Sequence, residues 1–135
     1  MRPEKLDRDT LAVVLIAHGS RNADANADAL YFAEQLKRQG VAQHVQAAFL
    51  ELAEPTIACA VDSCLKIGSK TIVLLPYFLS AGVHVRRDLM GMCEQFGEAN
   101  QGVEFILAEP LGRHPQITEV LKERMRDVLM RRGIT

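Results

Sequence analysis

The chain has 135 residues, 16 Lys and Arg against 17 Asp and Glu, four histidines, three cysteines and no tryptophan. At about 100–200 residues per domain this is one domain, and its 48% hydrophobic share suffices for a core and argues against disorder. A net charge of −1 with interspersed signs argues against nucleic-acid binding, which needs a basic excess or stripe, and no apolar run approaches the ~18–20 residues that span a bilayer.

Residues 1–9 are charged and lack the apolar h-region of a signal peptide. The cysteines are odd in number and none sits in a C-x-x-C pair, which suits a reduced, cytoplasmic setting. The first apolar run, Leu11–Ala17, reads as a strand covered on both faces. His18-Gly19-Ser20-Arg21 follows and is expected to open the first helix, with Ser20 as its N-cap. In that helix Ala29, Phe32, Ala33 and Leu36 make one apolar stripe, and Gly40 ends it. The second strand is His44–Leu50, followed by Glu51. Pro55 suits the first turn of a second helix, striped by Ile57, Ala60, Val61, Cys64 and Leu65 and ended by Gly68. The third strand is Lys70–Leu75, and the loop from Pro76 leads to a third helix striped by Val85, Leu89, Met92, Cys93 and Phe96. The fourth strand, Val103–Leu107, precedes a helix with Pro115 in its first turn, apolar Ile117, Val120, Leu121, Val128 and Leu129, and Gly133 at its end.

Strands alternating with helices about every 30 residues predict four βα units with parallel pairing and right-handed crossovers. The expected fold is α/β and flavodoxin-like: a three-layer sandwich around a four-stranded parallel sheet with four helices, ordered 2-1-3-4. No linker or second domain is visible in residues 1–135. In such sheets, ligands bind outside the carboxyl ends of the strands, near the switch in strand order.

Those ends carry the chemistry. His18 follows the first strand, Glu51 the second, the Pro76–Asp88 loop with His84 the third, and Glu109–His114 the fourth. A lone histidine is more often structural than functional. Two on neighbouring strands favour a metal or acid–base site, because imidazole binds borderline divalent metals and titrates near neutrality. Glu51 alone reads as a solvated carboxylate or ion-pair partner, but with two histidines it can be a third ligand or a proton acceptor. Arg21, Arg86, Arg87 and Arg113 each read singly as solvated charges. As a set on one rim they suggest an anionic ligand, since guanidinium forks match carboxylates and phosphates. The sequence has no G-x-G-x-x-G, no phosphate-loop motif and no nucleophile elbow. Cys59, Cys64 and Cys93 read as core residues, His44 as structural, and His114 as the cap of the fourth helix.

Ala17-His18-Gly19-Ser20-Arg21, Phe49-Leu50-Glu51, Pro76-Tyr77-Phe78-Leu79 and Ala81-Gly82-Val83-His84, with the Pro110-Leu111-Gly112 turn, resemble the small-type sirohydrochlorin cobaltochelatases. These are class II tetrapyrrole chelatases related to ferrochelatase and to the anaerobic cobalt chelatase. The resemblance spans about residues 11–131 and implies a single chelatase-like domain. It implies insertion of a divalent metal into sirohydrochlorin, Co²⁺ for cobalamin synthesis in the first instance, with Fe²⁺ or Ni²⁺ inserted by relatives. The metal is a substrate, and no organic cofactor is expected. His18 and His84 carry over as metal-binding, proton-accepting histidines and Glu51 as an acidic helper. The carboxylates of such a substrate would account for Arg21, Arg86, Arg87 and Arg113, while Tyr77, Phe78, Leu79 and Val83 offer an apolar wall for the flat macrocycle, and Ser20 and Gly82 are expected to bind the substrate as well. Longer members of that family contain two such halves around a shared cleft, so a homodimer is implied here. Two other readings compete: a metal carrier without turnover, and a phosphate-binding module using the first helix N-terminus.

Overall fold

The computed structural model describes residues 7–134. After a short 3-10 turn at Arg8–Thr10 come β1 (Leu11–Ala17), α1 (Ala23–Arg38), β2 (His44–Phe49), α2 (Ile57–Lys66), β3 (Thr71–Pro76), α3 (Val83–Ala99), β4 (Glu104–Leu107) and α4 (Pro115–Arg131). The sheet runs β2-β1-β3-β4, parallel throughout, the expected order. Ala12 pairs with His44 on one side of β1 and Ile72 on the other, and the ladders carry β1 to Ala17 beside Phe49. Because all four strands run parallel, their carboxyl ends open onto one rim.

Burial follows the pleat. Ala12, Val14, Ile16, Ala48, Ile72 and Leu74 face α2 and α3, where they meet Ala60, Val61, Cys64 and Leu89. Leu11, Val13, Leu15, Val45 and Ala47 face α1 and meet Ala29 and Ala33. β1 is covered on both faces, which is why its sequence is continuously apolar. Each buried Leu, Ile or Val contributes ~1.5–3 kcal/mol, so β1 is the structural centre.

Several local expectations are corrected. Ser20 does not cap α1. Asn22 does, its side chain accepting from the Asp24 N–H, while the Ser20 hydroxyl accepts from the Asn22 N–H. Pro55 lies outside α2, whose cap is Thr56, accepting from the Cys59 N–H at 3.2 Å. Thr56 bears the oxygen that a helix N-terminus needs and proline lacks. Cys59 is exposed, two residues round the helix from Ile57 and off the buried stripe, whereas Cys64 is fully buried. Phe32 is also exposed, packed edge-on against Tyr31 and Tyr77 rather than in the core. The largest departure is α4: none of its residues is buried, and Val120, Leu121 and Val128 are exposed. The cap expectations for His114, Gly40, Gly68 and Gly133 agree with the structure, His114 Nδ1 accepting from the Gln116 N–H at 3.1 Å.

Candidate active site

The turn after β1 positions the site. Gly19 has a φ of +92°, and a Cβ there would overlap the Glu51 carbonyl oxygen, so only glycine fits. That closeness lets the Leu50 N–H donate to the Ala17 carbonyl and the Glu51 N–H to the His18 carbonyl, at 3.0 and 3.1 Å. His18 and Glu51 are thereby fixed side by side through backbone, not through their own side chains. Asn26 secures the other end of the turn: its Oδ1 accepts from the Ser20 N–H and its Nδ2 donates to the Ser20 carbonyl.

His18 stands between two recesses. A depression of about 250 Å³ is lined by His18, Leu50, Glu51, Val85, Asp88 and Met92. A wider hollow of about 510 Å³ is lined by His18, Gly19, Ser20, Asn26, Asp28, Tyr77, Phe78, Leu79 and Leu111. The smaller recess carries two carboxylates, Glu51 and Asp88, and the wider one presents aromatic and aliphatic walls with Asp28 at one side. The His18 ring lies 4.6 Å, centroid to centroid, from the buried Phe78 ring, tilted by 34°. Burial, then the nearby Asp28 carboxylate, pushes the Tyr77 phenol above its usual 10.0, so it stays a protonated donor at neutral pH.

α3 brings the second set. Gly82 is its N-cap, and Val83, His84, Arg86 and Arg87 stand exposed on its first turns. Val83, Arg86 and Arg87 line a hollow of about 580 Å³ with Met90 and Glu94. Arg86 also reaches the Glu109 carboxylate at 3.3 Å, an exposed pair of small energetic worth that orients the guanidinium. His84 does not line the depression shared by His18 and Glu51. Asp88, one helical turn later on the same face, does. Arg21 and Arg113 are exposed on the flanking turns.

The structure thus gathers His18 and Glu51 in one recess, and His18, Ser20, Tyr77, Phe78 and Leu79 in the other. Val83, Arg86 and Arg87 form a third group. Asp88, Asn26 and Asp28 were missed. The His84–Asp88 spacing could have flagged Asp88, but nothing local could have flagged Asn26, whose role is a contact with the preceding turn. Among the described residues no group of three or more His, Cys, Asp or Glu is already arranged to hold a metal. Among them, too, no helix is long and apolar enough to cross a membrane.

Comparison with known proteins identifies the family. The CbiX family model matches residues 12–128. The chain belongs to the CbiX family. Its CbiX relatives differ in length. A Methanopyrus kandleri protein named sirohydrochlorin cobaltochelatase is 31% identical over 88% of this chain and 97% of its own. A Priestia megaterium protein of the same name is 36% identical, but this chain spans only 38% of it. Among solved structures, sirohydrochlorin chelatase SirB from Bacillus subtilis subspecies spizizenii, in complex with cobalt, is 28% identical with a TM-score of 0.78. That match covers 88% of this chain and 51% of SirB.

Proposed function

We propose that this CbiX-family chain inserts a divalent metal into sirohydrochlorin, with Co²⁺ ahead of Fe²⁺ and Ni²⁺. The observation that carries the reading is His18, flanked by a carboxylate-lined recess on one side and an aromatic hollow on the other. The relatives named for cobalt and for iron support the reaction class, and the cobaltochelatase names of the Priestia megaterium and Methanopyrus kandleri relatives favour Co²⁺. An imidazole and carboxylates suit all three ions, so ligand type alone selects none.

Metal insertion must remove two N–H protons from the macrocycle as M²⁺ enters. His18 holds the incoming ion through a ring nitrogen and hands it to the pyrrole nitrogens, after which the freed imidazole accepts a proton. Glu51 accepts the other. His84 stands outside the His18 recess on the first turn of α3, and its role as a second nitrogen rests on the family resemblance. A site with few nitrogen and oxygen donors and no thiolate keeps affinity modest, as transfer requires. Phe78, Leu79 and Val83 give the macrocycle an apolar wall, with Tyr77 and Ser20 as polar donors. Gly82 leaves its approach unobstructed. Arg21, Arg86, Arg87 and Arg113 pair with its peripheral carboxylates. Two copies of the chain form the working unit, supported by the match to about half of SirB. The chain acts in the cytoplasm, in keeping with its unpaired cysteines.

The test follows sirohydrochlorin absorbance with wild-type protein and Co²⁺, Fe²⁺ or Ni²⁺ in turn. Repeated turnover well above the spontaneous rate, fastest with Co²⁺, is expected. Release of one bound metal per chain without turnover would instead identify a carrier.

A further inference from the structure

The loops after β3 and β4 border a further recess as well as the His18 hollow. It holds about 230 Å³ and is lined by Pro76, Ala81, Leu89, Met90, Leu107 and Pro110, with Arg86 and Glu109. That is room for several water molecules at ~30 Å³ each. The apolar lining is firmly built. Leu89 is buried, and the two loops are tied together: the Leu111 N–H donates to the Phe78 carbonyl and the Gly112 N–H to the Leu79 carbonyl. Phe78, Leu79 and Leu111 of these same loops line the His18 hollow. Leu79 and Leu111 are both exposed, so the loops offer apolar ground between the cavity and the hollow.

Arg86 sets this cavity apart. Its Nη2 donates to Glu109 Oε2 at 3.3 Å, joining α3 to the turn after β4. Every other ion pair among the described residues lies within a single helix. Arg86 also lines the neighbouring hollow with Val83, Arg87 and Met90, so its guanidinium stands where the open rim meets the apolar cavity. Such a place fits a group with an apolar stem that ends in a carboxylate. Glu109 already fills the carboxylate half of that description. Its side chain is 81% exposed, so the pair is weak and easily displaced.

We propose that this cavity receives one carboxyl-bearing arm of the tetrapyrrole, with Glu109 holding Arg86 until the arm's carboxylate displaces it. The arm's methylenes rest on Leu89, Met90 and Leu107, and its carboxylate takes the Arg86 guanidinium. One carboxylate–guanidinium pair replaces another, so the charge exchange is close to balanced. The methylenes leaving water then decide the direction. Glu109 is thus an internal competitor: it keeps Arg86 at the mouth of the cavity and sets how strongly an arm must bind to enter. The inference rests on the sirohydrochlorin reading above and adds where one arm goes and which residue opposes it.

The test varies sirohydrochlorin at saturating Co²⁺ and compares the full chain with Glu109→Gln, Arg86→Gln and the double variant. Glu109→Gln should lower KM about two- to fivefold, the size an exposed ion pair implies, through KM rather than kcat. Arg86→Gln should raise KM, and adding Glu109→Gln to it should change nothing further. A KM that stays or rises in Glu109→Gln overturns the proposal. So does an equal fall in the Arg86→Gln background, because Glu109 would then merely repel the substrate. Ala108, also in the lining, gives a second variant: Ala108→Leu narrows the cavity and should raise KM, with urea unfolding confirming that it folds. An unchanged KM there takes the arm out of the cavity and overturns the proposal. Equilibrium binding of metal-free sirohydrochlorin separates this inference from the reading it rests on. Binding that follows the predicted order in a chain that inserts no metal keeps the arm site and removes the chelatase. Full insertion with unmoved KM does the reverse, and a wild type that neither binds nor metallates sirohydrochlorin overturns both.

Discussion

The two halves of the sheet differ in how completely one chain covers them. In the β2–β1 half both faces are sealed, by α1 on one side and α2 on the other, and every residue from Leu11 to Ile16 is buried. In the β3–β4 half only the face toward α2 and α3 is sealed, and burial along β3 alternates strictly between buried and half-buried. The difference teaches a division of labour. The sealed half holds the turn that fixes His18 beside Glu51, while the open half supplies the α3 arginines, the aromatic loop and a partly exposed apolar strip at Val73 and Ile106.

The sharpest way to break that contrast is Gly19→Ala. The added Cβ collides with the Glu51 carbonyl at a φ of +92°, and strain of this kind plus a steric clash costs on the order of 3 kcal/mol or more. Urea unfolding should show that loss, and metallation should fall because the His18–Glu51 backbone link opens. Next in size, Ile16→Ala in the sealed half should cost ~2–5 kcal/mol, against under ~1 kcal/mol for Ile106→Ala measured on dilute, monomeric protein. Equal losses would erase the distinction.

A pH experiment probes the sealed half alone. Burial pushes the Cys64 thiol from 9.0 up to about 11, so the folded state disfavours the thiolate more than the unfolded chain does. The stability linked to this group is complete below pH 9 and is lost as pH rises from 9 through 11, by roughly 2–3 kcal/mol. Denaturant midpoints across that range should fall more steeply for wild type than for Cys64→Ala. The smallest effect is expected at the junction of the halves. Asp88→Asn should slow cobalt insertion about tenfold, equivalent to ~1.4 kcal/mol of barrier, with no change in melting temperature because the side chain is exposed.

The sequence made the sealed half legible because its signals are local and redundant. Leu11–Ala17 is apolar at every position, and Cys64 sits on a clean helical stripe. The site's backbone logic was partly legible: His18 and Glu51 follow their strands directly, so parallel order alone places them on one rim. Asn26 escaped because it acts across a turn, where residue type carries no signal, and Asp88 because only its one-turn spacing from His84 marked it. α4 shows the converse error. Its stripe of Val120, Leu121 and Val128 has true helical period, yet none of it is buried within this chain. Phe32 fails similarly, since its partners Tyr31 and Tyr77 form a surface aromatic group beside the hollow.

The central claim is that His18 and His84 on the carboxyl rim perform metal insertion. The direct measurement is the initial rate of Co²⁺ insertion into sirohydrochlorin by wild type, His18→Ala and His84→Ala at matched concentration, with circular dichroism confirming that each is folded. Both variants are predicted to fall to near the spontaneous rate, His18→Ala the lower of the two. Wild-type rates from both variants would contradict the assignment.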